Sequence, residues 1–173
     1  MPAIQINKIT NANVYVDGAS LLGTVKEAEL PKIAQKMVEH VALGLIGSFD
    51  TPAGVEKMES KITFNSFYAD VMAKVANPTQ VVKMQLRASL ETYTSEGRSA
   101  QVPYVVFLTG TFKELPLGNF QKSENAEFES MFNVFSCKVE VNSVAVVEFD
   151  AFSNTYKVNG VDIAATYRAN IGQ

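Results

Sequence analysis

VVKMQLRASLE, residues 81–91, places Val82, Met84, Leu86, Ala88 and Leu90 on one parity and Lys83, Gln85, Arg87, Ser89 and Glu91 on the other. Such alternation is the period of a strand with one buried and one wetted face. A polar turn, Ser95 to Ser99, follows, and a second run then sets Val102, Tyr104, Val106, Leu108 and Phe112 on one face. The two runs predict a hairpin taller than the usual strand of about five or six residues. Its polar row carries mixed charge and amides but no nucleophile beside a base, so the hairpin reads as a wall.

On the N-terminal side, Asn13 to Val16 alternates into Asp17-Gly18, a pair that supplies the positive φ of a tight turn. Leu21 to Leu30 reads as the return strand. Residues 31–43 fit two templates. Ile33, Met37 and Val41 recur every four residues behind Pro31, which favours a helix, yet they also share one parity, which allows a strand. Residues 44–54, with Gly44, Gly47, Pro52 and Gly54, read as a loop. They lack the Gly-Lys-Ser ending of a phosphate cradle, and their Leu45, Ile46 and Phe49 suit contact with another chain.

Val55 to Phe64 alternates again, and Ser66 is placed to cap a short helix stacking Phe67, Val71 and Val75. On the C-terminal side of the tall hairpin, residues 127–141 form a run apolar on both parities: Phe128, Phe132 and Val134 against Met131, Phe135, Cys137 and Val139. Such a strand is either sandwiched in a core or covered by a neighbouring subunit. Val144 to Phe149 runs back, Asn159-Gly160 turns the chain, and Asp162 caps a last helix stacking Ile163, Tyr167 and Ile171. At least six antiparallel strands and two short helices predict a mainly β chain, a β-sandwich or partly closed β-barrel.

Composition narrows the function. The 173 residues suit one domain, which buries about 70% of its unfolded surface without metal or disulfide. Cys137 is the sole cysteine and reads as a small buried hydrophobe, and His40 is the sole histidine, too few for a metal site. No catalytic group, cofactor or metal ligand is assigned, and the chain reads as a non-enzyme. Net charge −3 without a basic run excludes tight phosphate binding. No stretch approaches 18 apolar residues and no signal segment precedes the first strand, so no membrane anchor and synthesis in the cytoplasm are expected.

Several segments in order resemble the tail tube proteins of contractile-tailed bacteriophages and of R-type bacteriocins, the tailocins. They are Asn13 to Gly18; Gly23 through Lys32; Gly110 to Glu114, then Gly118 and Lys122 to Glu127; Glu148-Phe149-Asp150; Lys157 to Asp162; and Arg168 to Gly172. The resemblance spans nearly the whole chain, although residues 41–47 lack the Arg and Met common there in relatives. It implies a tube domain over residues 1–173, with an extended arm or loop about residues 31–64 and a C-terminal helix about 162–171. It further implies homohexameric rings stacked into a hollow tube inside a sheath, driven through the target envelope to conduct phage DNA or, in a bacteriocin, ions. The implied partners are further copies of the chain, the sheath protein, the baseplate initiator, the tail terminator, the tape measure protein and DNA in the lumen. The particle would be a virion tail or a tailocin made in a bacterial host.

Joined to that picture, the polar row Lys83, Gln85, Arg87, Ser89 and Glu91 is expected to face the lumen, and Leu45, Ile46 and Phe49 the next ring. Two other readings share the β composition: a secreted ring of the type VI kind carrying effectors, and a small-molecule barrel resembling a lipocalin.

Overall fold

A computed structural model of the protein describes residues 4–173. Its strands are β1 (Ile6–Val16), β2 (Ala19–Ser20), β3 (Val25–Glu29), β4 (Gln35–His40), β5 (Phe49–Val55), β6 (Met58–Phe64), β7 (Val82–Thr94), β8 (Gly97–Phe112), β9 (Phe128–Val141), β10 (Val144–Asp150), β11 (Thr155–Val158) and β12 (Val161–Asp162). Helices α1 (Ala69–Val75) and α2 (Ala165–Asn170) are short. Ten strands form one antiparallel sheet in the order β12-β11-β10-β9-β8-β7-β1-β2, with β6 and β3 branching from β9, while β4 and β5 pair only with each other.

The tall hairpin pairs Val82 with Gly110 at one end and Thr94 with Gly97 at the other. Val82, Met84 and Leu86 from β7 meet Val106, Leu108 and Phe112 from β8 in a single core. The branch β6–β3 folds over that core with Met58, Ile62 and Phe64, and α1 inserts Met72 and Val75. Phe112 and Phe132 stack edge to face at 4.9 Å in its centre. The result is an open, branched antiparallel sheet folded over one core. Two buried hydroxyls are both satisfied: Ser60 Oγ donates to the Glu29 carbonyl at 2.7 Å and Ser130 Oγ to that of Glu114 at 2.8 Å.

Strand β9 is the pivot. Residues 128–134 pair with β6, and residues 136–141 pair with β10. On its other side the β8 register runs from Thr109↔Ser136 directly to Gly110↔Val134, which leaves Phe135 as an extra, unopposed residue. This β-bulge switches the parity of the strand. Phe128, Phe132 and Val134 below it and Cys137 above it therefore enter the same core. Phe128, Phe132 and Val134, then Cys137 and Val139, are one buried face, re-phased, while Met131 and Phe135 stay half-buried outside the core. Gly110 sits opposite the bulge because a Cβ there would lie 1.9 Å from the Asn133 carbonyl oxygen.

Both predicted tight turns form, with φ of 48° and 84° at Asp17 and Gly18 and 49° and 79° at Asn159 and Gly160. Asp17 also ties the sheet together: Oδ1 accepts from the Lys83 amide at 3.0 Å and Oδ2 pairs with Lys74 at 2.8 Å.

Four local expectations are corrected and one open alternative is resolved. The return strand after Asp17-Gly18 stops at Ser20, because Leu21 to Thr24 turns through Gly23 at φ +78°, and β3 pairs with β6 instead of β1. Residues 31–43 contain strand β4 and no helix; the four-residue spacing of Ile33, Met37 and Val41 yields to a ladder with β5, an extended course that the family resemblance implies. That ladder also takes Phe49 to Gly54 out of the expected loop. Ser66 does not cap α1, whose N-cap is Tyr68 with no side-chain bond; Phe67 lies outside the helix and packs edge-on to Phe128 at 5.6 Å. Likewise the N-cap of α2 is Ala164, and Asp162 accepts instead from the Ala164 amide at 3.0 Å and pairs with Arg168 at 2.5 Å.

Candidate functional site: a polar wall and an apolar arm

The core-facing parity of β7 fixes where its other parity points. Lys83, Gln85, Arg87, Ser89 and Glu91 stand in one row on the outer face, opposite Thr109, Phe107, Val105, Pro103 and Gln101 of β8. The register carries the same face outward through Ser136, Lys138 and Glu140 of β9, then Glu148 and Asp150 of β10 and Lys157 of β11. On the other side Asn13 and Tyr15 of β1 continue it.

Several charges on this wall are matched at short range, while Lys83 and Arg87 lack an acidic partner among the described residues. Arg87 lies over the Tyr15 ring at 5.4 Å and donates twice to Gln85 Oε1, at 3.3 and 3.1 Å. Lys138 pairs with Glu140 at 2.7 Å, which raises its ammonium pKa, and sits 5.9 Å from the Phe107 ring. Lys157 meets Glu148 at 3.6 Å. Gln101 donates to Ser89 at 2.7 Å.

Glu91 differs from the rest of the row. It is only 9% exposed, covered by Tyr93, whose hydroxyl donates at 2.5 Å, and by Arg98 at 3.1 Å. The hydrogen bond from Tyr93 and then Arg98 hold its carboxyl below the usual glutamate range. The wall thus offers Lys83 and Arg87 to solvent and ends in a covered carboxylate.

Each end of the main sheet is an edge. Strand β1 pairs with β2 only at Tyr15 and Val16, so residues 6–13 present an outer edge without a strand partner among the described residues. The far edge is the two-residue β12. Exposed backbone donors and acceptors of this kind template pairing with another chain.

The second surface is the β4–β5 arm, which runs from Gln35↔Val55 to His40↔Phe49. Its sequence supplies β-branched and apolar residues to a ladder, and no arm residue is buried. His40 and Phe49 brace the far end with ring centroids 5.2 Å apart. Beyond them the Leu45 amide bonds the Ala42 carbonyl at 3.3 Å across Gly44 at φ +90°, which turns the tip. Leu45, Ile46 and Phe49 are all exposed there. Sequence reasoning missed Met37, Val38, Val41 and Leu43, which extend the same apolar surface along the arm. The ambiguous period of residues 31–43 was the signal that could have found them, since a strand without a core leaves both its faces outside.

The described residues hold no cluster of three or more metal-ligating side chains, and no helix among them is long and apolar enough to cross a membrane. A wall between two open edges, with an apolar arm held away from the body, defines a building block.

The comparisons specify which. The profile of the phage tail tube protein FII family matches residues 6–172, and the chain belongs to that family, a structural one and not an enzymatic one. It is similar to the tail tube protein of Escherichia phage P2, with 25% identity over 167 residues covering 95% of this chain and 96% of that one. Its fold resembles a chain of an extracellular contractile injection system solved as the PVC sheath-tube complex in its extended state, at TM-score 0.55 and 14% identity over 75% of this chain and 88% of that one. A second chain, from the PVC sheath/tube terminator in the extended state, matches at TM-score 0.53 and 11% identity, covering 75% and 92%. This protein is a subunit of the inner tube of a contractile tail.

Proposed function

We propose that residues 1–173 act as one tube domain that closes into homohexameric rings, and that the rings stack into a hollow tube. The observation that carries this is the polar wall bounded by two unpaired edges. Joining the β1 edge of one copy to the far edge of the next satisfies both rows of backbone groups, and a repeated rotation closes the ring. The wall then lines the bore. Lys83, Gln85, Arg87 and Ser89 face the lumen, with Glu91 at the covered end of the row. Mixed, partly paired charge there lets a polyanion pass without holding it, because retention requires clustered free cations.

In this reading the sheath surrounds the tube, a terminator and a baseplate initiator cap its ends, and the tape measure protein and then DNA occupy the bore. The named sheath and terminator assemblies of the structural neighbours support the first two partners. The subunit is made in the cytoplasm of a bacterial host and ends in a virion tail or tailocin. Leu45, Ile46 and Phe49 contact the adjacent ring.

Cryo-electron microscopy of purified, polymerised protein tests the reading. Stacked sixfold rings with Lys83 and Arg87 on the bore are expected. Single unstacked rings would favour the secreted type VI kind, and a row turned toward the outside of the tube would overturn the lumen assignment.

A further inference from the structure

Where the arm leaves the body it walls a groove of about 640 Å³, with Pro52, Gly54 and Val55 on the arm side and Tyr156, Ile163 and Tyr167 on the other. Helix α2 buries no residue, and Ile163 and Tyr167 remain 58% and 57% exposed although they flank this groove. An apolar concavity with its own chain leaving it uncovered has the shape of a receptor. The arm tip has the complementary defect: Leu43 and Ile46 project wholly exposed and Leu45 is half-exposed.

The two cannot meet within one copy. The β4–β5 ladder holds the Gln35↔Val55 root at the groove and the His40↔Phe49 rung at the other end. At about 3.4 Å per residue, this separates tip from groove by roughly 17 Å. We infer that the groove between the arm root and α2 is the socket for the arm tip of a second copy of this chain. The inference rests on the proposed stacking role of the arm and names its receptor.

Charge favours this groove over the other large cleft. Residues 41–48 of the tip carry no charged side chain. Asp150 is the sole charged residue lining the groove, and its Oδ1 is already occupied by the amides of Phe152 and Ser153. The cleft between β1 and β3 has Lys26 and Glu27 on its lining, and an apolar tip would strip water from both. Each copy carries one tip and one socket, so the contact is head-to-tail and propagates from copy to copy.

Cross-linking tests it directly. Polymerised tubes of the Ile46→Cys/Ala164→Cys variant, oxidised and run without reductant, should give a ladder extending beyond the dimer. Cys137 is buried and does not compete. Tubes that form without such a ladder, or a ladder obtained instead from Ile46→Cys/Val25→Cys, would overturn the socket. In parallel, Tyr167→Asp should leave the melting of the unassembled subunit unchanged and lower tube yield about tenfold or more. Ile163→Asp serves in its place if Tyr167→Asp fails to fold. Normal tubes from Ile46→Asp would refute the stacking role itself. Loss of tubes with Ile46→Asp but not with either socket variant would refute the socket alone.

Discussion

Phe132 and Ile46 are both large apolar side chains, and the molecule treats them in opposite ways. Phe132 is fully buried at the crossing of β8, β9 and β6, stacked on Phe112; Ile46 stands wholly exposed at the end of a hairpin that touches no core. Burying a side chain of this size contributes about 1.5–3 kcal/mol, so the body collects that contribution within one chain and the arm collects it only in an assembly. The difference separates folding from polymerisation: substitutions in the body should move the stability of the lone subunit, and those in the arm should not.

The largest departure is expected from Phe132→Ala, which should cost about 3–5 kcal/mol in denaturant unfolding of the unassembled subunit. Gly110→Ala comes next. Its added methyl meets the Asn133 carbonyl across the bulge, and a loss of about 1–3 kcal/mol by the same measurement is expected. A wild-type midpoint in Gly110→Ala would mean that the bulge relaxes freely.

Asp17→Asn should have a smaller and pH-dependent effect. Burial works to raise the Asp17 carboxyl, but hydrogen bonds from Lys74 and from the Lys83 amide outweigh it and set the folded value below the ordinary 3.8. The ionised group therefore stabilises the fold above that pH, and the stabilisation fades as pH falls through the lowered folded value. The melting temperature of Asp17→Asn should lie below wild type at neutral pH by the equivalent of under about 1 kcal/mol, and the two should converge in acid. The smallest effect is expected from Ile46→Asp, within about 0.5 kcal/mol of wild type in the lone subunit. A large shift there would show that the arm packs on its own body and would erase the contrast.

Much of the body was legible in sequence because its strands alternate and one face is buried. The row from Lys83 to Glu91 and the Asp17-Gly18 and Asn159-Gly160 turns are local signals, and the structure sets the row on one face of β7 and forms both turns. Residues 127–141 were harder. Parity reading assumes an unbroken pleat, and the extra residue Phe135 breaks it; Gly110 is the trace of that event, but it lies on a different strand. A hydroxyl before an apolar run is a common cap pattern, but Ser66 lies in a bend and the helix starts only after the extended Tyr68. The covering of Glu91 depends on Arg98, brought across by the turn, which alternation along β7 alone does not report.

The bulge at Phe135 also partitions tolerance to insertion and deletion. Below it, β9 is clamped between β6 and β8, so a one-residue slip would exchange every inward side chain for an outward one. Above it, β9 is also paired on both sides, with β8 and β10, but the β10 register already takes up an extra residue between Ala145 and Val147, so a length change has a place to be absorbed there while the centre keeps its register. Variation in the dimensions of this wall can therefore accumulate on one half of a single strand.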